Sequence, residues 1–167
     1  MSQSVPDMIL RGVGSPAPGS SPEQAIRRSH RQTAQALSAV PFFATLSKKE
    51  LRRLAEDTDV VSFAAGQTIV EEGMPGETMY VVLAGEAKVQ QGRRRLGTVR
   101  PGDFFGEVAV LDGAARSATV TAQTPLTAIR LYRRTLLRLF KAEPNITLKV
   151  LDGVVRRIRE LTRALDA

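Results

Sequence analysis

Between Val60 and Leu131 the apolar residues recur in short alternating runs: Val60 to Phe63, Thr68 to Val70, Thr78 to Leu83, Ala87 to Gln91, Leu96 to Val99, Ala118 to Ala122 and Leu126 to Leu131. Alternation with a period of two marks a chain that buries one face of a sheet, so each run predicts a β-strand. Nine of the 13 glycines lie between Gly66 and Gly113, many at the joins between runs. That placement suits tight antiparallel turns, which need residues free to adopt positive φ. Gly66 and Gly85 read as turn positions and Gln91-Gly92-Arg93-Arg94-Arg95 as a hairpin tip.

On both sides of this block the pattern changes to helical. Upstream, Ser21-Pro22-Glu23-Gln24 has an N-cap serine, a proline at the first helical position and a glutamine that completes a capping box, and the predicted helix runs to about Ala39 before Pro41 stops it. Ser47 and Glu50 form a second box, with Leu46 and Leu51 spaced as a hydrophobic staple. Downstream, Arg133 to Lys141 predicts a short helix, and Pro144 opens a last one in which Leu151, Val154, Ile158, Leu161 and Leu165 make a heptad seam. A seam of that kind either pairs with a second copy or folds back on its own domain. The expected fold class is α+β: an antiparallel β-roll, a jelly-roll-like barrel, flanked by N-terminal helices and two C-terminal helices. The expected organisation is a flexible tail over 1–21 and a single domain over 22–167, made of N-terminal helices 22–57, a β-roll 59–132 and C-terminal helices 133–166. The tail assignment follows from a Ser-, Pro- and Gly-rich stretch with too little apolar surface to offset the entropy of ordering.

Composition removes several function classes. The 167 residues contain no cysteine and a single histidine, His30, so thiol chemistry, zinc–thiolate sites and histidine metal clusters are excluded. No run approaches the ~20 apolar residues of a membrane span, and the N-terminus lacks a basic-then-apolar signal peptide, so we expect a cytoplasmic protein with no membrane span. The formal net charge is +7, and the stretch from Arg130 to Ala167 carries ten Lys/Arg against four Asp/Glu. A solvated arginine-rich helix face accounts for that bias; an acidic partner, a membrane surface or nucleic acid would also fit it. No aromatic residues interleave with the basic ones as base stacking would require.

The run Phe104-Phe105-Gly106-Glu107-Val108-Ala109-Val110-Leu111, followed by Ala115-Arg116-Ser117-Ala118-Thr119-Val120, sets one carboxylate and one guanidinium among small and apolar residues. A carboxylate can accept from a ribose hydroxyl, and a guanidinium can hold a phosphodiester through two parallel hydrogen bonds. Gly106, Ala109, Gly113, Ala114 and Ala115 leave backbone N–H groups open to an anion. The competing reading is a buried Glu107–Arg116 ion pair that ties the roll together.

This segment resembles the phosphate-binding cassette of the cyclic-nucleotide-binding domain family, the sensor module of catabolite activator proteins and of protein kinase A regulatory subunits. The pattern Phe-Gly-Glu, apolar, Ala, apolar, gap, Arg-Ser-Ala is present from Phe105 to Ala118. The stretch from Val40 to Leu46 resembles the family's entry segment, and the likeness extends to the C-terminus. It implies that Glu107 takes the ribose 2′-hydroxyl, Arg116 the phosphate oxygens and Ser117 a further phosphate bond. Gly106, Val108 and Ala109 would give backbone contacts, with Ala118 beside them. Thr162, or its neighbour Leu161, falls where the family places a base-capping residue, and Leu96, Gly97, Ser117 and Thr162 are the candidates for reading the base edge. The ligand implied is cAMP, ahead of cGMP, with no other cofactor. Because no helix-turn-helix and no catalytic set follows the last helix in this sequence, the expected protein is a non-enzymatic receptor acting through a homodimer or an unidentified effector protein, with DNA an unlikely partner. Two alternatives remain: a structural or protein-interaction module with an empty cyclic-nucleotide-like pocket, and a DNA-associated regulator using its basic C-terminal helix.

Overall fold

A computed structural model of the chain describes residues 22–40 and 43–166 and, within them, every side chain except those of 22–28, 150, 153, 157, 160, 161 and 164. The expected tail, the Ser21 cap, the Pro41 stop and the Leu161 side chain lie outside the described residues. In chain order the elements are α1 (Pro22–Ser38), α2 (Lys48–Glu56), β1 (Asp59–Phe63), β2 (Thr68–Val70), β3 (Thr78–Ala84), β4 (Ala87–Gln91), β5 (Arg94–Val99), β6 (Phe104–Phe105), α3 (Glu107–Asp112), β7 (Thr119–Ala122), β8 (Leu126–Tyr132), α4 (Arg133–Ala142) and α5 (Pro144–Asp166). The capping box at α2 is complete: the Ser47 hydroxyl accepts from the Glu50 N–H at 3.2 Å and the Glu50 carboxylate accepts from the Ser47 N–H at 2.7 Å. Each bond satisfies an amide that the helix start would otherwise leave without a partner.

The strands form two antiparallel sheets, ordered β1-β8-β3-β6 and β2-β7-β4-β5. The expected barrel needs correction here. The sheets lie face to face without closing into one hydrogen-bonded ring, because each keeps its own two edge strands. Strands β3 and β8 are buried on both faces, which explains why they read as nearly unbroken apolar runs. In β3 and β8, Met79, Val81, Leu83, Ile129 and Leu131 point to a cluster shared with the helices, including Leu37, Leu54, Leu136 and Ile146. The alternate residues Tyr80, Val82, Leu126 and Ala128 point between the sheets, where they meet Ala87, Phe105 and Val120. Helices and ligand-type residues are thus served by two separate cores back to back.

The last helix departs from its predicted phase. Ile146 is fully buried and Val154 packs on the helical cluster, whereas Leu148, Leu151, Val155, Ile158 and Leu165 are exposed. The seam inferred from sequence included Val154, but docking through Ile146 and Val154 turns Val155, one residue and about 100° further round, to the outside. The outward stripe is therefore 148, 151, 155, 158, 165, with exposed Thr162 completing its heptad spacing. Ion pairs tie α2 to the C-terminal helices: Lys149 to Glu50 at 3.3 Å, Arg53 to Glu143 at 2.7 Å and Arg138 to Asp57 at 3.7 Å. The two arginine pairs face solvent and so orient more than they stabilise, while the Lys149–Glu50 pair is partly buried.

On the opposite side of the first sheet, β1 is joined to β8 by Asp59, whose carboxylate accepts from Arg130 Nη2 at 2.9 Å and from the Tyr132 hydroxyl at 2.8 Å. Those bonds, Arg130 first and Tyr132 second, hold the Asp59 carboxyl below the ordinary aspartate range. A carboxylate with a depressed folded pKa adds stability above its unfolded pKa and loses it as pH falls through the folded value. Asp59→Asn is therefore expected to lower the urea midpoint at neutral pH, with the difference from the parent starting to shrink below about pH 4 and vanishing only once pH is below the lowered folded value. Ile129, with no exposed surface at the centre of β8, should be costlier: Ile129→Ala is expected to lose about 2–5 kcal/mol in urea unfolding, with the slope of the transition unchanged.

Candidate functional site

The short strand β6 delivers the chain to Gly106, which has φ +84° and so turns the backbone in a way a side-chain-bearing residue resists. The turn starts α3, and Gly113 at φ +72° ends it. Sequence periodicity missed both β6 and α3, because two residues and six residues are too few to display a period. The chain then returns along the loop before β3: Pro75 bridges Ala115, the Arg116 N–H donates to the Met74 carbonyl at 2.8 Å and the Gly73 N–H donates to the Arg116 carbonyl at 2.9 Å.

These contacts carry the Arg116 side chain inside, at 7% exposure. Its Nη1 donates to the Thr78 carbonyl at 2.6 Å and to the Gly106 carbonyl at 3.3 Å, and its Nη2 donates to Thr78 Oγ1 at 3.0 Å. The ion-pair alternative assigned this arginine to Glu107; its hydrogen bonds go to Thr78 and Gly106. Burial pulls the guanidinium below the ordinary arginine range, opposed by the nearby Tyr80 and Glu77. Thr78 Oγ1 in turn donates to the Tyr80 hydroxyl at 3.3 Å, and Tyr80 stacks on Phe105 with ring centroids 5.1 Å apart. The arginine is thus bonded into the aromatic layer between the sheets. Gly76 makes the approach feasible, since a Cβ there would stand 2.9 Å from Arg116 Nε.

Beside α3 lies a cavity of about 200 Å³ whose lining includes Leu96, Gly106, Glu107, Val108, Ala109, Arg116, Ser117 and Ala118. Among the described residues that line it, Glu107 and Arg116 are the charged ones and Ser117 adds a hydroxyl; Val70, Val89, Val99, Phe104, Phe105 and Val120 make the wall otherwise apolar. Eight of the ten residues singled out from sequence therefore meet around one cavity. Gly97 lies in β5 opposite Val89, outside the lining. Thr162 is exposed on α5, its hydroxyl donating to the Ile158 carbonyl at 2.9 Å, also outside the lining. Sequence reasoning missed Thr78, the acceptor for both guanidinium nitrogens. Its one signal was a hydroxyl at the head of a run otherwise destined for the core.

The hairpin between β4 and β5 is tighter than the predicted five-residue tip. Arg94 and Arg95 belong to β5 and the turn is made at Gly92, with φ +56°. Its end is held beside the cavity, where the Gln91 amide donates to the Ser117 carbonyl at 3.2 Å and the Gly92 N–H donates to the Glu72 carboxylate at 2.8 Å. Among the described residues no three His, Cys, Asp or Glu side chains group to hold a metal ion, and no helix is long and apolar enough to cross a membrane.

The description "Cyclic nucleotide-binding domain" belongs to the family model that matches residues 60–143, half of the chain. A cAMP-dependent protein kinase regulatory subunit of Aspergillus fumigatus is 38% identical over 105 residues, which are 62% of this chain and 25% of that protein. A cGMP-dependent protein kinase of Toxoplasma gondii is 35% identical over 116 residues, 70% of this chain and 12% of that protein. The chain thus spans a quarter or less of the length of these two relatives. Among solved structures, the N-terminal domain of a transcriptional regulator from Streptomyces coelicolor A3(2) superposes with a TM-score of 0.68 at 30% identity, covering 77% of this chain and 96% of that one. With the roll, the Gly106–Ala118 cassette and the matched span in agreement, the chain belongs to the cyclic nucleotide-binding domain family.

Proposed function

We propose that the chain is a non-enzymatic cyclic-nucleotide receptor that takes cAMP in preference to cGMP and passes the binding event to its C-terminal helices. The observation that carries this reading is the cavity wall, in which, among the described residues, one carboxylate, Glu107, one guanidinium, Arg116, and the Ser117 hydroxyl stand among mostly apolar side chains. A cyclic nucleotide has the matching parts: one anionic phosphodiester, one ribose hydroxyl and an apolar-faced base. Three of the five N–H groups of Arg116 are used by Thr78 and Gly106, which leaves two for phosphate oxygens. Glu107 would accept from the 2′-hydroxyl, Ser117 would add a phosphate contact, and Gly106, Val108 and Ala109 would contribute backbone. Leu96, half exposed at the cavity, is the apolar surface on which the base would rest. Ala118 closes the wall behind the phosphate. The preference for cAMP follows the first of the two relatives above, and the apolar wall offers little that would hold a guanine edge.

Transmission through the C-terminal helices rests on the outward stripe of α5. With Leu148, Leu151, Ile158 and Leu165 more than half exposed and heptad spacing along 148, 151, 155, 158, 162 and 165, the stripe suits an identical helix, so the receptor would act as a homodimer. Thr162 or Leu161 would cap the base only after α5 shifts toward the cavity, and nucleotide can drive such a shift only by binding the shifted form more tightly.

Calorimetric titration with cAMP, cGMP and a cyclic dinucleotide tests the reading directly: cAMP should give saturable heat at one site per chain, and no heat from any of the three would favour the empty-pocket alternative. Arg116→Ala should weaken cAMP by about 30- to 5,000-fold, the range for losing one member of a desolvated charge pair at about 2–5 kcal/mol. Glu107→Ala should weaken it less, because the phosphate clamp survives. Ile158→Glu should convert a dimer to a monomer in sedimentation while leaving the far-ultraviolet spectrum of the roll intact; an unchanged mass would remove the homodimer from the proposal.

A further inference from the structure

Helix α3 has six residues, too few to be stable on its own, and each of its ends is held by an arginine from elsewhere in the chain. At the start, the Gly106 carbonyl accepts from Arg116 Nη1 at 3.3 Å. At the finish, the Val110 carbonyl accepts from Arg133 Nη1. This carbonyl is one of the four that a helix C-terminus leaves without an intrahelical donor. Arg133 lies against the glycine that ends the helix, since a Cβ on Gly113 would stand 3.1 Å from its Nη2. Arg133 is also the first residue of α4, and its own N–H donates to the Glu77 carbonyl at 2.8 Å. The next residue along, Thr78, is the one that holds Arg116. The two arginines therefore brace the cassette helix from adjacent residues at the head of β3, one at the cavity and the other on the helix that leads out of the roll.

We propose that Arg133 is a positioning residue: it fixes the C-terminal end of α3 to the N-terminal end of α4, so that a shift of α3 at its Arg116 end is passed to α4 through the Arg133–Val110 hydrogen bond. The proposal rests on the cyclic-nucleotide reading of the cavity for the source of that shift. Apolar contact is the competing route, because Val110 and Leu136 share the helical core cluster. Arg133→Met separates the two, since it keeps the apolar stem and removes the donors. Arg133→Lys is the companion variant, returning one donor and guarding against a general loss of folding.

Hydrogen exchange read by mass spectrometry on the full chain supplies the test, with cAMP affinity measured in parallel by calorimetry. Without nucleotide, Arg133→Met should speed exchange in the segment 110–113 roughly fivefold, the factor expected for one net hydrogen bond, and Arg133→Lys should restore part of the protection. Arg133 is outside the cavity lining, so Arg133→Met should bind cAMP at least as tightly as the parent. In the parent, cAMP should alter exchange across 133–142, and in Arg133→Met that response should be lost while binding persists. An unchanged response in Arg133→Met would overturn the relay and assign the coupling to the apolar contact. Unchanged protection of 110–113 without nucleotide would overturn the brace itself. If the parent gives no heat with cAMP, the reading of the cavity fails first, and the exchange comparison without nucleotide still decides whether Arg133 holds the helix.

Discussion

A guanidinium taken out of water must be met by acceptors, and the arrangement around the cavity follows from that need at Arg116. Its cationic head is too strongly hydrated to be buried without compensation, so Thr78 gives a carbonyl and a hydroxyl and Gly106 gives a second carbonyl. Each acceptor imposes a condition of its own. Thr78 must stand at the head of β3, Gly106 must turn at positive φ, and Gly76 must have no side chain where the arginine stem passes. These three acceptors are neutral, and the groups that oppose the effect of burial on the guanidinium are the nearby Tyr80 and Glu77. In this environment burial still holds the guanidinium below the ordinary arginine range, a cost that an anionic group in the cavity would relieve.

The division into two cores gives that environment its mechanical setting. Strands β3 and β8 form the shared wall, with the helical cluster on one side and the intersheet cluster on the other. The cavity opens from the intersheet side, while α4 and α5 dock on the helical side, so no residue of α5 lines the cavity among the described residues. Whatever links the two sides must pass around or through β3. The Thr78–Tyr80–Phe105 chain runs from the arginine into the intersheet layer, and the Glu77 carbonyl receives the first N–H of α4. Glu77, just before β3, and Thr78 and Tyr80 on one face of it thus meet the start of α4, the arginine and the intersheet layer.

Much of this was readable from residue patterns, and the gaps have physical causes. The alternating runs located seven of the eight strands to within a few residues, because burial of one or both faces leaves a period-two trace. The Ser47–Glu50 box was visible because capping is a local, sequence-adjacent interaction. Phe104–Phe105 and Glu107–Asp112 were seen only as one apolar run, since neither segment is long enough to express a period. The phase of α5 was misjudged by one position at Val154 because the choice between Val154 and Val155 is made by where Ile146 docks, a tertiary fact. Closure of the roll was over-read for a similar reason: alternation predicts pairing but says nothing of which strands remain edges. At the cavity, the charged pair was plain from its chemistry, whereas Thr78 lies 38 residues from Arg116 and carries no pattern that would connect them.

An open pair of sheets has consequences for the company the molecule keeps. An unpaired edge is a template on which a foreign strand can add, and it must be made unattractive if the protein is to remain dispersed. Strand β5 is such an edge, and it is the one that carries exposed Arg94 and Arg95. Its ladder with β4 also slips register between Val89 and Gln90, a local irregularity that spoils the flat, regular surface an incoming strand requires. The arginines that look like a mere solvated hairpin thus guard the open side of the roll against aggregation, and neutralising them would be felt first in solubility, before any loss of the fold.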